Sequence, residues 1–203
     1  MELGLFPLGI VLLPTERVPL HIFEHRYQEL IGECLAEQRE FGLLFADDEG
    51  VREIGTLASI VEVLDRFPDG RLNILVEGGE RFRVVAETSG RSFLTAEVEP
   101  VGDDERMPEQ SQRETVLELY RRLGEVIDQE VDEPNPDTQL LSYELAARVD
   151  FGPERKQELL ELRSESDRLT VLSRLLEQAA EAITLERALA EASARNGRGL
   201  RQG

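Results

Sequence analysis

Few residues in this 203-residue chain could do bond-making chemistry, and the densest group is His21-Ile22-Phe23-Glu24-His25. His-x-x-Glu-His on one helix places two imidazoles at i and i+4, where they can share a zinc ion. The glutamate then activates a metal-bound water. That chemistry also needs a third ligand, and the chain holds only these two histidines. A downstream carboxylate such as Glu97 or Glu99 could serve, but with 42 acidic residues some match is nearly guaranteed. Pro19 sits two residues ahead of His21 and favours extended backbone there, so His21 is expected to precede the helix and to hydrogen-bond at a strand-to-helix corner. A metal-dependent hydrolase built on His21, Glu24 and His25 is therefore the weaker alternative. No catalytic, metal or cofactor residue is assigned.

The single cysteine, Cys34, falls on the apolar stripe Tyr27, Leu30, Ile31, Cys34, Leu35 and reads as a small core residue. Arg81-Phe82-Arg83 offers two guanidinium forks that could clamp a peptide carboxylate; the plainer alternative is strand alternation, with Phe82 inward and both arginines solvated. Phe6, Leu8, Ile10, Leu12 and Phe23 form the most apolar, proline-broken stretch. They either fill a barrel end or leave exposed apolar surface suited to unfolded chains. Together with Arg81 and Arg83 these residues are the candidate peptide-binding surface.

Composition narrows the classes. A net charge of −19 spread over both halves repels phosphate backbones and anionic membranes. The N-terminus lacks the basic region and uninterrupted apolar run of a signal peptide or a span. One cysteine suits a reducing compartment, so a cytoplasmic setting is expected.

Two textures then appear. Up to about residue 102 the pattern is of short strands. Leu3–Phe6, Ile10–Leu13, Phe41–Ala46, Ile54–Phe67, Arg71–Glu77, Arg81–Glu87 and Phe93–Val98 qualify, with a turn at Pro68-Asp69-Gly70 and a break or bulge at Gly78-Gly79. One helix is expected from Glu24. Residues 103–195 read as helices after a polar linker, with a capping box at Ser111-x-x-Glu114 and a helix start at Gly152-Pro153. Residues 196–203 read as a disordered tail. Small antiparallel sheet followed by helices indicates an α+β chain.

At this point the sequence resembles the Lon protease N-terminal, substrate-binding domain family. Four segments carry the resemblance. They are Leu5-Phe6-Pro7-Leu8 through Pro14 with Pro19-Leu20-His21-Ile22-Phe23-Glu24-x-Arg26-Tyr27; Phe41-Gly42-Leu43-Leu44 with Ile54-Gly55-Thr56-Leu57-Ala58; Pro68-Asp69-Gly70-Arg71 with Val76-x-Gly78-x-x-Arg81-Phe82; and Lys156-Gln157-x-Leu159-Leu160-Glu161 with Arg168-Leu169. The resemblance implies a PUA-like antiparallel β pseudo-barrel followed by an α-helical bundle subdomain. It also implies a non-catalytic module for unfolded or extended polypeptide segments or a protein partner, acting as an adaptor or modulator of proteolysis. The sequence contains no Gly-x-x-x-x-Gly-Lys-Ser/Thr phosphate loop, and its one lysine, Lys156, lies inside the resembling region. Neither ATPase nor Ser–Lys peptidase chemistry is therefore expected. A PUA-like barrel also suggests an RNA-binding module as an alternative, which the acidic charge opposes.

Overall fold

The computed structural model describes residues 1–104 and 107–199, with backbone alone for 191–199. The described residues form a seven-stranded sheet and five helices. In chain order these are β1 (Glu2–Leu8), β2 (Arg17–Ile22), α1 (His25–Glu37), β3 (Phe41–Asp47), β4 (Gly50–Val51), β5 (Ile54–Arg66), β6 (Leu72–Thr88), β7 (Thr95–Pro100), α2 (Gln110–Ile127), α3 (Leu141–Ala146), α4 (Pro153–Glu161) and α5 (Glu165–Gly199). The expected α+β class is the one observed.

Five strands close on themselves in the order β1–β7–β6–β5–β3 and back to β1. Strands that alternate in direction cannot close a ring of odd number, so one pair must run parallel. That pair is β1–β3, with Leu5 opposite Gly42 and Leu8 opposite Phe45; the other four contacts are antiparallel. The pseudo-barrel expected as antiparallel thus carries one parallel seam. β2 and β4 are added outside the ring, on β6 and β3.

The pleat sends alternate residues to two apolar clusters. Leu3, Leu5, Leu44, Phe82, Ala96 and Val98 form the cluster within the ring. Space there is tight: a Cβ on Gly42 would lie 2.6 Å from both Leu5 Cδ2 and Phe82 Cζ. The other face, Phe6, Phe41, Leu43, Ile74 and Val76, joins the α1 stripe Tyr27, Leu30, Ile31 and Cys34 in the larger cluster, and an extra residue on β6 between Gly78 and Arg81 is what turns Phe82 to the first cluster instead. Phe6 lies 4.0 Å from Tyr27 between ring centroids.

The chain divides into two compact units, Met1–Glu105 with Ser142–Ser164, and Arg106–Leu141 with Glu165–Gly203. The boundary expected at residue 102 differs from this, because 142–164 belong with the sheet. Three side chains fasten α4 there through four polar contacts. Arg81 Nη1 donates to the carbonyls of Leu160 (2.7 Å) and Leu162 (2.6 Å). Gln157 Nε2 donates to Ile54 O at 3.1 Å. Lys156 Nζ meets the buried Glu16 carboxylate at 2.5 Å.

In the second unit α2 and α5 pair. Their buried stripes are Val116, Leu117, Tyr120 and Leu123 on α2, and Leu169, Leu172, Leu176 and Ala180 on α5. Arg113 donates to Pro136 O (2.9 Å) and Thr138 O (2.8 Å). The helix cap lies just ahead of the expected Ser111/Glu114 box, where Gln112 Oε1 accepts from the Glu109 N–H at 3.0 Å. Of the expected tail, 196–199 continue α5 as helix, and 200–203 lie outside the described residues.

Candidate functional site

The candidate binding residues separate sharply. Phe6 and Leu12 are buried in the larger cluster, and Leu8 and Ile10 pack against it half-buried. Ile10–Leu13, expected as a strand, is instead a buried loop, pinned by Thr56 Oγ1 donating to Leu12 O (2.6 Å) and Thr15 N–H to Gly78 O (2.7 Å). Gly78 permits this approach, since a Cβ there would sit 2.1 Å from Leu13 O. The chain therefore spends the N-terminal apolar run on its own core.

Arg81 is 5% exposed and holds α4 rather than a ligand. Besides the two carbonyls it contacts Asp103 and faces the Tyr143 ring at 5.9 Å. Arg83, two residues on, is exposed. The alternation that was to solvate both arginines holds only for Arg83.

Phe23 alone of the apolar set is strongly exposed, at 62%. It stands at the end of β2, and its surroundings follow from strand register. His21 lies opposite Asn73, and Asn73 opposite Asp65, giving one row across β2, β6 and β5. His21 Nδ1 and Asn73 Oδ1 are 2.6 Å apart, and Asn73 Nδ2 donates to Asp65 Oδ2 at 2.9 Å. The next row is Pro19, Leu75 and Glu62. The inward face of the same strands carries Leu20, Ile22, Leu72, Ile74, Val76, Ile60 and Val63.

Two irregularities in β5 shape the outer face. The register slips between Ile60 and Glu62 and again between Val63 and Asp65. Each slip inserts one residue without reversing the pleat, so an additional side chain joins the exposed face. Those residues are Val61 and Leu64, 45% and 44% exposed. Phe67 follows at the hairpin tip. His21 stacks on Phe23 at 5.9 Å and meets the edge of Phe67 at 6.2 Å. The outer face of β2–β6–β5 thus presents Phe23, His21, Phe67, Val61 and Leu64 with Pro19 and Leu75.

Local contacts fix this surface. Gln28 on α1 donates to Phe23 O at 3.1 Å. The hairpin tip closes through Phe67 N–H to Arg71 O (2.9 Å), with Asp69 accepting from the Arg71 N–H (3.2 Å). That backbone bond, aided by the Arg71 guanidinium, holds the Asp69 carboxyl below the usual range.

The His-x-x-Glu-His spacing does not produce a helical ligand pair. α1 begins at His25, while His21 belongs to β2. Glu24 pairs with Arg26 at 2.8 Å. Among the described residues no group of three His, Cys, Asp or Glu could hold a metal ion. Burial raises the Cys34 thiol above its ordinary value, the weaker pull of Arg39 notwithstanding.

A family model described as the ATP-dependent protease La (LON) substrate-binding domain matches residues 2–178. The chain belongs to the LON substrate-binding domain family. Lon protease of Solibacter usitatus is 28% identical over 200 residues, which cover 89% of this chain and 24% of that protein. For Lon protease of Escherichia coli K12 the identity is 26%, covering 92% and 26%. This LON domain spans about a quarter of the length of the curated relatives it matches. A solved Lon N-terminal domain protein from Xanthomonas campestris superposes with a TM-score of 0.64 at 30% identity, covering 85% of this chain and 96% of that one. The N-terminal domain of Mycobacterium avium complex Lon protease, at 20% identity and a TM-score of 0.69, shares the fold over 87% and 98%. No helix among the described residues is long and apolar enough to cross a membrane.

Proposed function

We propose that this domain holds apolar, non-native stretches of polypeptide on the outer face of β2–β6–β5 and performs no bond chemistry on them. The observation that carries this is the exposed pair Phe23 and Phe67 against His21, with Val61 and Leu64 exposed on the same outer face. Contiguous apolar side chains on a surface mark contact sites far better than scattered ones. The family description, a substrate-binding domain, agrees with it. In a cell the role is that of an adaptor or modulator of proteolysis.

The client is held by side chains rather than by strand addition. Gly78 N–H donates to Glu16 O at 2.9 Å, which sets the parity of the β2–β6 ladder. Arg17, Pro19 and His21 then turn their backbone groups to the outer edge of β2. Pro19 has no N–H to give, so an added strand would lose its central donor. The apolar face has no such defect.

The test is fluorescence anisotropy with a labelled, reduced and carboxymethylated model polypeptide. The chain should bind it, and a Phe23→Ser/Phe67→Ser variant should bind at least tenfold more weakly with an unchanged circular dichroism spectrum. Undiminished binding by a folded double variant would overturn the assignment, as would no binding by the native chain.

A further inference from the structure

We propose that His21 is the specificity-determining residue of the outer face of β2–β6–β5, its Nε2 accepting a hydrogen bond from the indole N–H of a tryptophan in the bound polypeptide. This deepens the polypeptide-holding assignment above and rests on it.

The row across the three strands decides which ring nitrogen is offered. Asn73 Nδ2 donates to Asp65 Oδ2 at 2.9 Å. That bond fixes the amide, because a flipped Asn73 would set its oxygen against the carboxylate. Asn73 Oδ1 therefore faces His21 Nδ1, at 2.6 Å. An amide oxygen only accepts, so Nδ1 carries a proton in both charge states of the ring. In the neutral ring the free lone pair is then on Nε2. Asp65, Asn73 and His21, one from each strand, thus lock the tautomer that leaves Nε2 an acceptor.

That acceptor is available. His21 is exposed, and its contacts are the Nδ1 bond and the Phe23 and Phe67 rings. The charged groups nearby are engaged elsewhere. Arg71 pairs with Asp69 at the hairpin tip, Arg26 with Glu24 at the start of α1, and Arg17 with Glu77 across β2 and β6. Glu62 and Arg66 on β5 and His25 on α1 complete the set. Among the described residues none of these hydrogen-bonds to Nε2.

A group matching this spot needs an aromatic body for the two phenylalanines and one donor for Nε2. Leucine, valine and phenylalanine side chains have no donor. A cationic donor would have to shed its water against Phe23 and Phe67. Indole supplies an apolar ring and a single N–H, with no acceptor left over. Protonation of His21 turns Nε2 into a donor, and the preference for an indole N–H is then lost.

The test titrates N-acetyl-tryptophanamide, and its analogue methylated on the indole nitrogen, into the isotope-labelled chain at about pH 8, where imidazole is neutral. NMR shifts give the affinities. The native chain should favour the N–H compound about fivefold, the size of one neutral hydrogen bond. The preference should vanish along the protonation curve that the His21 ring itself reports. His21→Phe keeps an aromatic ring at this exposed position without an acceptor and should bind both compounds equally. Ring-nitrogen spectra of the unliganded chain should show Nδ1 protonated and Nε2 bare; the chain has only two histidines, and His21→Phe assigns them. Equal affinities in the native chain, a preference that survives His21→Phe or protonation, a proton on Nε2 at the higher pH, or no saturable shift with either compound would each overturn the proposal. The carboxymethylated polypeptide still reports on Phe23 and Phe67 in every one of these cases, so failure here is distinguishable from failure of the apolar face.

Discussion

Arg81→Met should cost about 3–5 kcal/mol and release α4 first. The side chain is 5% exposed and donates to Leu160 O at 2.7 Å and Leu162 O at 2.6 Å. These carbonyls lie at the C-terminal end of α4, where Leu162 is the cap residue. Methionine fills much of the volume but donates nothing, so the buried Leu160 O loses this donor and the part-buried Leu162 O loses it too, at roughly 1–3 kcal/mol each. The Asp103 pair adds little, because that carboxylate is 32% exposed and screened. The sum is close to the roughly 3–5 kcal/mol found when one partner of a buried charged contact is removed. Against a typical domain stability of about 5–15 kcal/mol, that is a large fraction. Urea unfolding measures the total, and amide exchange locates it: protection should fall most at 157–161. Arg81→Lys should land between, since an ammonium keeps the charge but loses the fork. Arg83→Met, two residues away and exposed, should change stability by no more than about 0.5 kcal/mol. A loss under about 1 kcal/mol for Arg81→Met, or exchange that rises evenly over the chain, would refute the reasoning.

Gly42→Ala should destabilise by about 1–3 kcal/mol through overpacking, whereas Gly32→Ala on α1, whose Cβ meets nothing within 4 Å, should stabilise; chemical denaturation of the two variants gives the comparison, and equal effects would count against a filled ring. Cys34 should resist a thiol-specific disulfide reagent in the native protein and react rapidly in urea, because burial disfavours its thiolate; native reaction at the rate of free cysteine would contradict the packing. The Asp69 carboxyl, held low chiefly by the Arg71 N–H, contributes stability that is present above the unfolded carboxylate pKa and is lost as pH falls through the lower folded value. An NMR titration should therefore place its midpoint below that of an unstructured aspartate, with the Arg71 amide following it; a midpoint at or above the unstructured value would dispose of the turn geometry.

Much of the fold was legible because periodicity and punctuation agree. The α1 stripe, the strand at Phe41, the turn at Pro68-Asp69-Gly70 and the proline start of α4 all appear as expected. What escaped depends on partners distant in sequence. β2 contains Pro19 and only six residues, and no local pattern distinguishes it from the approach to a helix. Gly78-Gly79 was legible as a break or bulge, and β6 runs through it with an extra residue between Gly78 and Arg81, while two further bulges sit on the partner strand β5. The placement of 142–164 with the sheet follows from Arg81, Gln157 and Lys156, each of which contacts a residue at least 79 positions away. Of the proposed binding surface, only Phe23 was legible. Val61 and Leu64 were hidden because a bulge changes which face a residue occupies without changing the residues themselves.

Those bulges also bear on whether the outer face is a contact surface or a by-product of folding. A strand with unbroken alternation keeps Ile60 in the core but sends it no second neighbour, and polar residues then suffice outside. β5 instead retains Ile60 and Val63 against the core while turning Val61 and Leu64 outward. Each bulge disrupts the ladder locally, and core packing gains nothing from the extra residue. The surrounding charges are arranged consistently with this. Arg17 pairs with Glu77 at 2.5 Å, and Arg71 pairs with Asp69 at 2.8 Å while lying 5.1 Å over the Phe67 ring. Charges already paired with one another leave less unbalanced charge to desolvate when an apolar segment lands between them. An exposed apolar centre with a self-paired rim has the anatomy of an interface.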